Sequence, residues 1–291
     1  MQANVKQVAG ILNPPAPHMV GDGFRVHNFF PGGYKIKMDP FFLLDYNAKI
    51  DFSPRNTPRG VGVHPHRGFE TVTIAYQGAV SHHDSAGNSG TIFPGDIQWM
   101  TAASGILHKE YHEENFTKTG GPFQMVQLWV NLPAKFKMSK PKYQTLQKDK
   151  IARYDFDDKG SYADIIAGNF KGIKGSADTF SPIEMYNLHL KNNSKIEFPL
   201  PAGYHTALLV IEGSITVNHN KKAETNQLVY FENEGELIEI EASADAVILV
   251  LSGEPINEPI AAYGPFLMNK PEEIEQAIND YNNGKFGYLE E

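Results

Sequence analysis

The feature that most limits the fold is a recurrence of short β-type runs, each cut off by turn residues. Examples are "TVTIAYQGAV", "GTIFPGDIQWM", "FQMVQLWVNLP", then "YHTALLVIEGSITVNH", "NQLVYFEN", "ELIEIEA" and "DAVILVLSGEP". Val, Ile, Thr and aromatic side chains suit a pleated, half-buried surface, and the intervening Gly, Pro, Asn and Asp mark turns. That spacing favours an antiparallel sandwich or barrel over a parallel α/β fold. One helix is predicted late in the chain, in "PEEIEQAINDYNNG". Pro271 suits a first-turn position, Ile274, Ala277, Ile278 and Tyr281 fall at helical spacing, and Gly284 can stop it.

The two β-rich halves echo each other. "TIAYQGAVSHHD" resembles "LLVIEGSITVNH", with Gly78 answering Gly213. In that alignment His64 and His66 correspond to Pro199 and Pro201. A duplication with one working site is therefore expected. Between the halves, "LPAKFKMSKPKYQTLQKDK" is lysine-rich and broken by Pro133 and Pro141, so it reads as a surface linker. The expected division is an N-terminal barrel over 1–134, a linker over 135–145, and a C-terminal barrel with the helix over 146–291.

A length of 291 residues allows one large or two medium domains. The formal charge of -8 argues against a nucleic-acid grip, which normally needs a basic stripe. With no cysteine there is no disulfide framework, no thiolate metal site and no Cys nucleophile. No run approaches the ~20 apolar residues of a membrane span. The N-terminal stretch lacks the apolar core of a signal peptide. A cytoplasmic protein without membrane contact is expected.

Within "GVGVHPHRGFETVTIAY", two histidines flank a proline inside a β-type run. Residues two apart on a strand share a face, so His64 and His66 form a pair on one wall. Pro65 is tolerable at a sheet edge or a barrel mouth. In "GILHKEYH", His108 and Glu110 form a second pair at the same spacing. Convergence of the two pairs would supply three imidazoles and a carboxylate, a set suited to a divalent first-row metal with positions left for substrate. A lone HxH has a plainer reading as chance spacing among eleven histidines. His82 and His83 are adjacent and must point to opposite faces; with His112 they read as rim or surface residues.

The run from Gly60 to Gly78, followed by "HHDSAGNSGTIFPGDIQWMTAASGILHKEYH", resembles the pirin family of the cupin superfamily. His64, His66, Glu70 and Gly78 fit the first cupin motif, with the glycine one residue late. Pro94, Gly95, Asp96, then Gly105 and His108 fit the second, with a longer middle. "MDPFFLLDY", "GEPINEPIAAYGPFLMN", the terminal helix and "GKFG" extend the likeness over most of the chain. The resemblance implies an all-β bicupin, two double-stranded β-helix barrels facing each other. It implies one metal in the N-terminal barrel, held by His64, His66, His108 and Glu110, with Fe(2+) the usual ion and Zn, Mn, Ni or Cu able to take its place. Spacing alone leaves Glu70 open as the carboxylate ligand, although Gly68 can change the strand's phase and turn it away.

Pirins resemble quercetin 2,3-dioxygenases, so the implied activity is oxygenative ring opening of a flavonol with release of carbon monoxide. Glu110 would be the general base, and flavonol and dioxygen the small-molecule partners. The alternative implied by the family is an iron-dependent, redox-sensing regulator that binds a protein partner. Phe52, Phe69, Trp99, Met100 and Phe123 could form the apolar walls, or simply the barrel core. Arg67 should lie on the opposite face from the histidines, at the surface or in a salt bridge. Two barrels in one chain suggest a monomer.

Overall fold

The computed structural model describes residues 4–291. Its β-rich runs form strands as the sequence predicts. Those of the first half are β1 (Val8–Leu12), β2 (His18–Val20), β3 (Phe24–Phe30), β4 (Phe41–Phe52), β5 (Gly60–His66) and β6 (Phe69–Gln77). There follow β7 (Val80–Asp84), β8 (Ser89–Ile92), β9 (Ile97–Thr101), β10 (Ile106–His112), β11 (Gly121–Asn131) and β12 (Lys142–Leu146). Helix α1 (Glu114–Thr119) precedes β11. Among the described residues, β12-β9-β6-β11-β4-β3-β2 form one sheet and β5-β10-β7-β8 a smaller one. In β6, Phe69, Thr71 and Thr73 alternate with Glu70, Val72 and Ile74, and all six are buried. Burial on both faces explains why this strand reads as a nearly unbroken β-type run.

The second half repeats the plan. Its larger sheet runs β1, Leu228–Phe231, His205–Glu212, Ala246–Gly253, Ile183–Leu190, Tyr162–Ala167, Ala152–Asp155. Its smaller sheet runs Lys195–Pro199, Leu237–Ala242, Ser214–Val217, Lys221–Glu224. Position by position, this is the strand order of the first half. Gly78 and Gly213 occupy matching hairpins, both with positive φ (78° and 86°). A Cβ at Gly213 would lie 2.3 Å from the Asp245 carbonyl oxygen, so glycine is required there.

The chain divides into two compact units, and the division departs from the expected boundaries. One unit holds the segment ending at Pro14, Lys37–Pro40 and Asp149–Pro255; the other holds Pro15–Ile36, Phe41–Lys148 and Ile256–Glu291. The physical reason is edge pairing at one end and apolar packing at the other. β1 adds an antiparallel edge strand to the second-half sheet, Leu12 opposite Leu228. Helix α2 (Pro271–Asn282) buries Ile274 and Ala277 against Leu107, Phe266, Met268 and Phe286 of the first-half unit. The supposed linker is also structured: β12 pairs with β9 from Lys142 opposite Thr101 to Leu146 opposite Ile97. Lys137 is buried, its ammonium donating to the Gly68 and Leu267 carbonyls and to Asn131. Among the described residues, no helix is long and apolar enough to cross a membrane.

Candidate metal centre

β5 is the outer strand of its four-stranded sheet, which explains how Pro65 is accommodated between two histidines. Antiparallel pairing with β10 sets His64 directly opposite His108, with His66 opposite Ile106. The register then slips, so that Glu110 faces Val61. The extra β5 residue falls at Gly62–Val63, and the Gly62 carbonyl lies 2.8 Å from His64 Nδ1. A bulge of this kind re-aims nearby side chains. Here it lets a backbone carbonyl fix the His64 ring, leaving Nε2 free for a metal, as ligating histidines are commonly held.

His64, His66 and His108 each bring a ring nitrogen to within 4.8 Å of the others. Ring centroids are 4.2 Å apart for His64 and His108, and 4.8 Å for His66 and His108. His66 and His108 are buried, and burial pushes both well below the usual histidine range, with neighbouring imidazoles adding to the effect. The neutral ring is the form that binds metal. His66 Nδ1 and both ring nitrogens of His108 have no hydrogen-bond partner. Buried nitrogens left unpartnered are costly, and a metal drawn to imidazole would satisfy those that face the cluster. The donor set therefore fits a first-row divalent ion.

Glu110 stands apart from this trio. It lines the same cavity, of about 320 Å³, with His64 and His66. Its carboxylate accepts from Gln127 Nε2 at 3.2 and 3.0 Å, with Thr73 Oγ1 at 3.5 Å. Burial raises its pKa, while His64 and these donors oppose the rise. Gln127 was not evident from the sequence as a site residue. Its signal is its place on the inward face of β11, two residues from Met125 on one side and from Trp129 on the other, both cavity-lining. Asp45 and Asn47 line the cavity from β4.

Other expectations are revised. His82 and His112 are buried rather than at the rim. His82 faces inward as the cross-strand neighbour of Glu110, bonds Tyr143 through Nδ1 and stacks on that ring. His112 sits among Phe24, Phe52, Phe116 and Phe123, with Nε2 on the Gly23 carbonyl. His83 does take the opposite face from His82 and pairs with Tyr111. Of the aromatics expected as walls, Phe69 supports the site from behind, stacked on Trp129 and edge-on to His66. The cavity itself is lined by Phe24, Met125 and Trp129. Arg67 forms a buried ion pair with Asp280 at 2.9 Å.

Residues 23–130 match the family profile described as pirin, and residues 185–287 match that of the pirin C-terminal cupin domain. The chain belongs to the pirin family. A Pseudomonas aeruginosa pirin relative named "Putative quercetin 2,3-dioxygenase" is 48% identical, the match covering 97% of this chain and 99% of that one. A pirin-like protein from Solanum lycopersicum is 38% identical over 92% of this chain and 89% of its own. The crystal structure of quercetin 2,3-dioxygenase from Acinetobacter baumannii has a TM-score of 0.93 and 46% identity, covering 98% of this chain and 100% of that one.

Proposed function

We propose that this pirin is a metal-dependent dioxygenase that opens the heterocycle of a flavonol such as quercetin and releases carbon monoxide. The observation that carries the reading is the convergence of three imidazoles, two of them buried with unpartnered nitrogens, beside a cavity whose wall holds His64, His66 and Glu110. His64, His66 and His108 would hold ferrous iron, and Glu110 can complete the set. The names of the Pseudomonas and Acinetobacter relatives support the substrate class.

When bound, the ion supplies Lewis acidity and a redox couple suited to dioxygen chemistry. The chain supplies the proton handling. Glu110 takes the proton of the flavonol 3-hydroxyl, a role favoured by burial, which makes its carboxylate more basic. Gln127 is the positioning residue: its amide donates to both carboxylate oxygens and holds them on the cavity wall. Phe24, Met125 and Trp129 exclude water from the deprotonated, electron-rich flavonol.

Oxygen consumption by anaerobically iron-loaded protein mixed with quercetin tests this directly. Uptake should be robust in the parent and fall by at least about 100-fold in Glu110→Gln, the size of a lost general base. No uptake from protein shown to hold iron would overturn the dioxygenase reading in favour of an iron-dependent binding protein.

A further inference from the structure

The cavity wall contributed by β4 carries two polar side chains outside the metal trio, one of them without a partner in the fold. Asp45 and Asn47, two apart, face inward: Asp45 lies opposite Gln127 and Asn47 opposite Met125 on β11. Both line the cavity. Asp45 is fixed by Asn28, whose Nδ2 donates to Oδ1 at 2.7 Å. Asn47 has no such anchor. It is only 1% exposed, and among the described residues nothing hydrogen-bonds to its Oδ1 or its Nδ2. The pairing register slips between Phe123 and Met125, immediately beside it, and irregularities of this type re-aim side chains next to working sites.

A buried primary amide with neither half partnered is destabilising by about 1–3 kcal/mol or more, and such groups in native proteins call for an explanation. The apolar part of the cavity lining, chiefly Phe24, Val26, Met125 and Trp129, offers Asn47 no partner, and the polar lining residues make no hydrogen bond to it. A partner must therefore enter the cavity. The amide offers a donor and an acceptor side by side, which matches two oxygens on adjacent carbons where one carries a hydrogen. A carboxylic acid would also fit the amide, but the Asp45 carboxylate beside it repels an anion and favours a second hydroxyl.

We propose that Asn47, with Asp45, is the specificity-determining pair of this site and selects substrates bearing a catechol ring, a benzene ring with vicinal hydroxyls. One hydroxyl donates to Asn47 Oδ1. The other accepts from Nδ2 and donates to Asp45. The flat ring lies between the apolar walls, and the flavonol's oxygens at the far end remain for the metal and Glu110. The inference rests on the flavonol reading for that far end only.

Direct binding tests it in the absence of turnover. Zinc-loaded full-length protein is titrated with quercetin, which has the catechol ring, and with galangin, the flavonol whose pendant ring has no hydroxyl. Calorimetry and tryptophan fluorescence report binding. The parent should favour quercetin by roughly 10- to 100-fold, the worth of one or two hydrogen bonds in a buried site. Asn47→Leu should bind the two flavonols alike. Without ligand it should unfold at the same or a higher temperature than the parent, because the amide makes no bond in the fold. Equal affinities in the parent, a preference retained in the variant, or a variant that fails to fold would each overturn the assignment. If neither flavonol binds the parent, the flavonol reading falls. In that case 4-methylcatechol and toluene, compared by saturation-transfer NMR, decide the Asn47 assignment alone. A catechol preference lost in Asn47→Leu keeps it, and no preference removes it.

Discussion

Glu70 and His66 are four residues apart, yet they serve different faces of different sheets. Gly68, at φ 92°, separates β5 from β6, and a Cβ there would lie 2.0 Å from the Leu267 carbonyl oxygen. Counting even residues from His66 therefore fails beyond Gly68. Glu70 accepts from Thr101 Oγ1 at 2.6 Å, and burial raises its carboxyl pKa to about 7. The raised value means the folded chain binds a proton that the unfolded chain has released. Stability should be highest below pH 4.5 as far as this group is concerned, fall as pH rises, and level off above about 7. The loss is on the order of 3 kcal/mol. Glu70→Gln keeps the acceptor for Thr101 and removes the charge, so denaturant midpoints at pH 8 should rise in the variant while those at pH 4 barely move. An unchanged pH profile would assign the raised pKa no weight. The HxH pair was legible because two-residue parity holds within one strand. Glu70, Gln127 and Asn47 were not, because their roles depend on which strand lies beside them.

At the scale of elements, the terminal helix could be read from its proline start and apolar spacing, but its docking site could not. Asp280 lies on the inner side of α2 and takes Arg67 at 2.9 Å, with Lys285 and Gln276 on its other oxygen. Arg67 also donates to the Ser104 carbonyl and stacks on Phe286. The helix is thus tied to the residue that follows His66 in the chain. Removing one partner of a buried pair strands the other charge, at a cost of about 3 kcal/mol or more. Asp280→Ala should therefore lower the unfolding free energy by that amount and weaken metal retention. Asp280→Asn should fall between it and the parent. An alanine variant with parental stability and metal content would remove α2 from the support of the site. The sequence around "LPAKFKMSKPKYQTLQKDK" misled for a related reason. Its lysines look like solvated residues, but Lys137 satisfies three buried acceptors and Tyr143 packs on His82. Such pairings lie far apart in the chain and leave no local pattern.

At the scale of the whole molecule, two units share one strand order but not one chemistry. The edge strand matching β5 in the second unit is Lys195–Pro199, which has no histidine. His64, His66 and His108 form the group able to hold a metal among the described residues. One ion per chain is therefore the expected stoichiometry, measured by mass spectrometry of metal content after saturation with zinc and desalting. An ion that binds only the folded state adds stability by mass action, about 2.7 kcal/mol at a hundredfold excess over its dissociation constant. At roughly 2–4 °C per kcal/mol for a unit of this size, that raises the unfolding temperature by about 5–11 °C. His64 is the half-buried ligand and its loss leaves little void, so His64→Ala should fold, lose most of its zinc, and show no thermal shift on loading. Protons should not compete with the metal at His66 and His108 in mild acid, because burial keeps both rings neutral well below 6.5. Two ions per chain, or a thermal shift that persists in His64→Ala, would place the metal elsewhere. Stoichiometry near one with the shift abolished would mean that duplication kept the scaffold twice and the metal chemistry once.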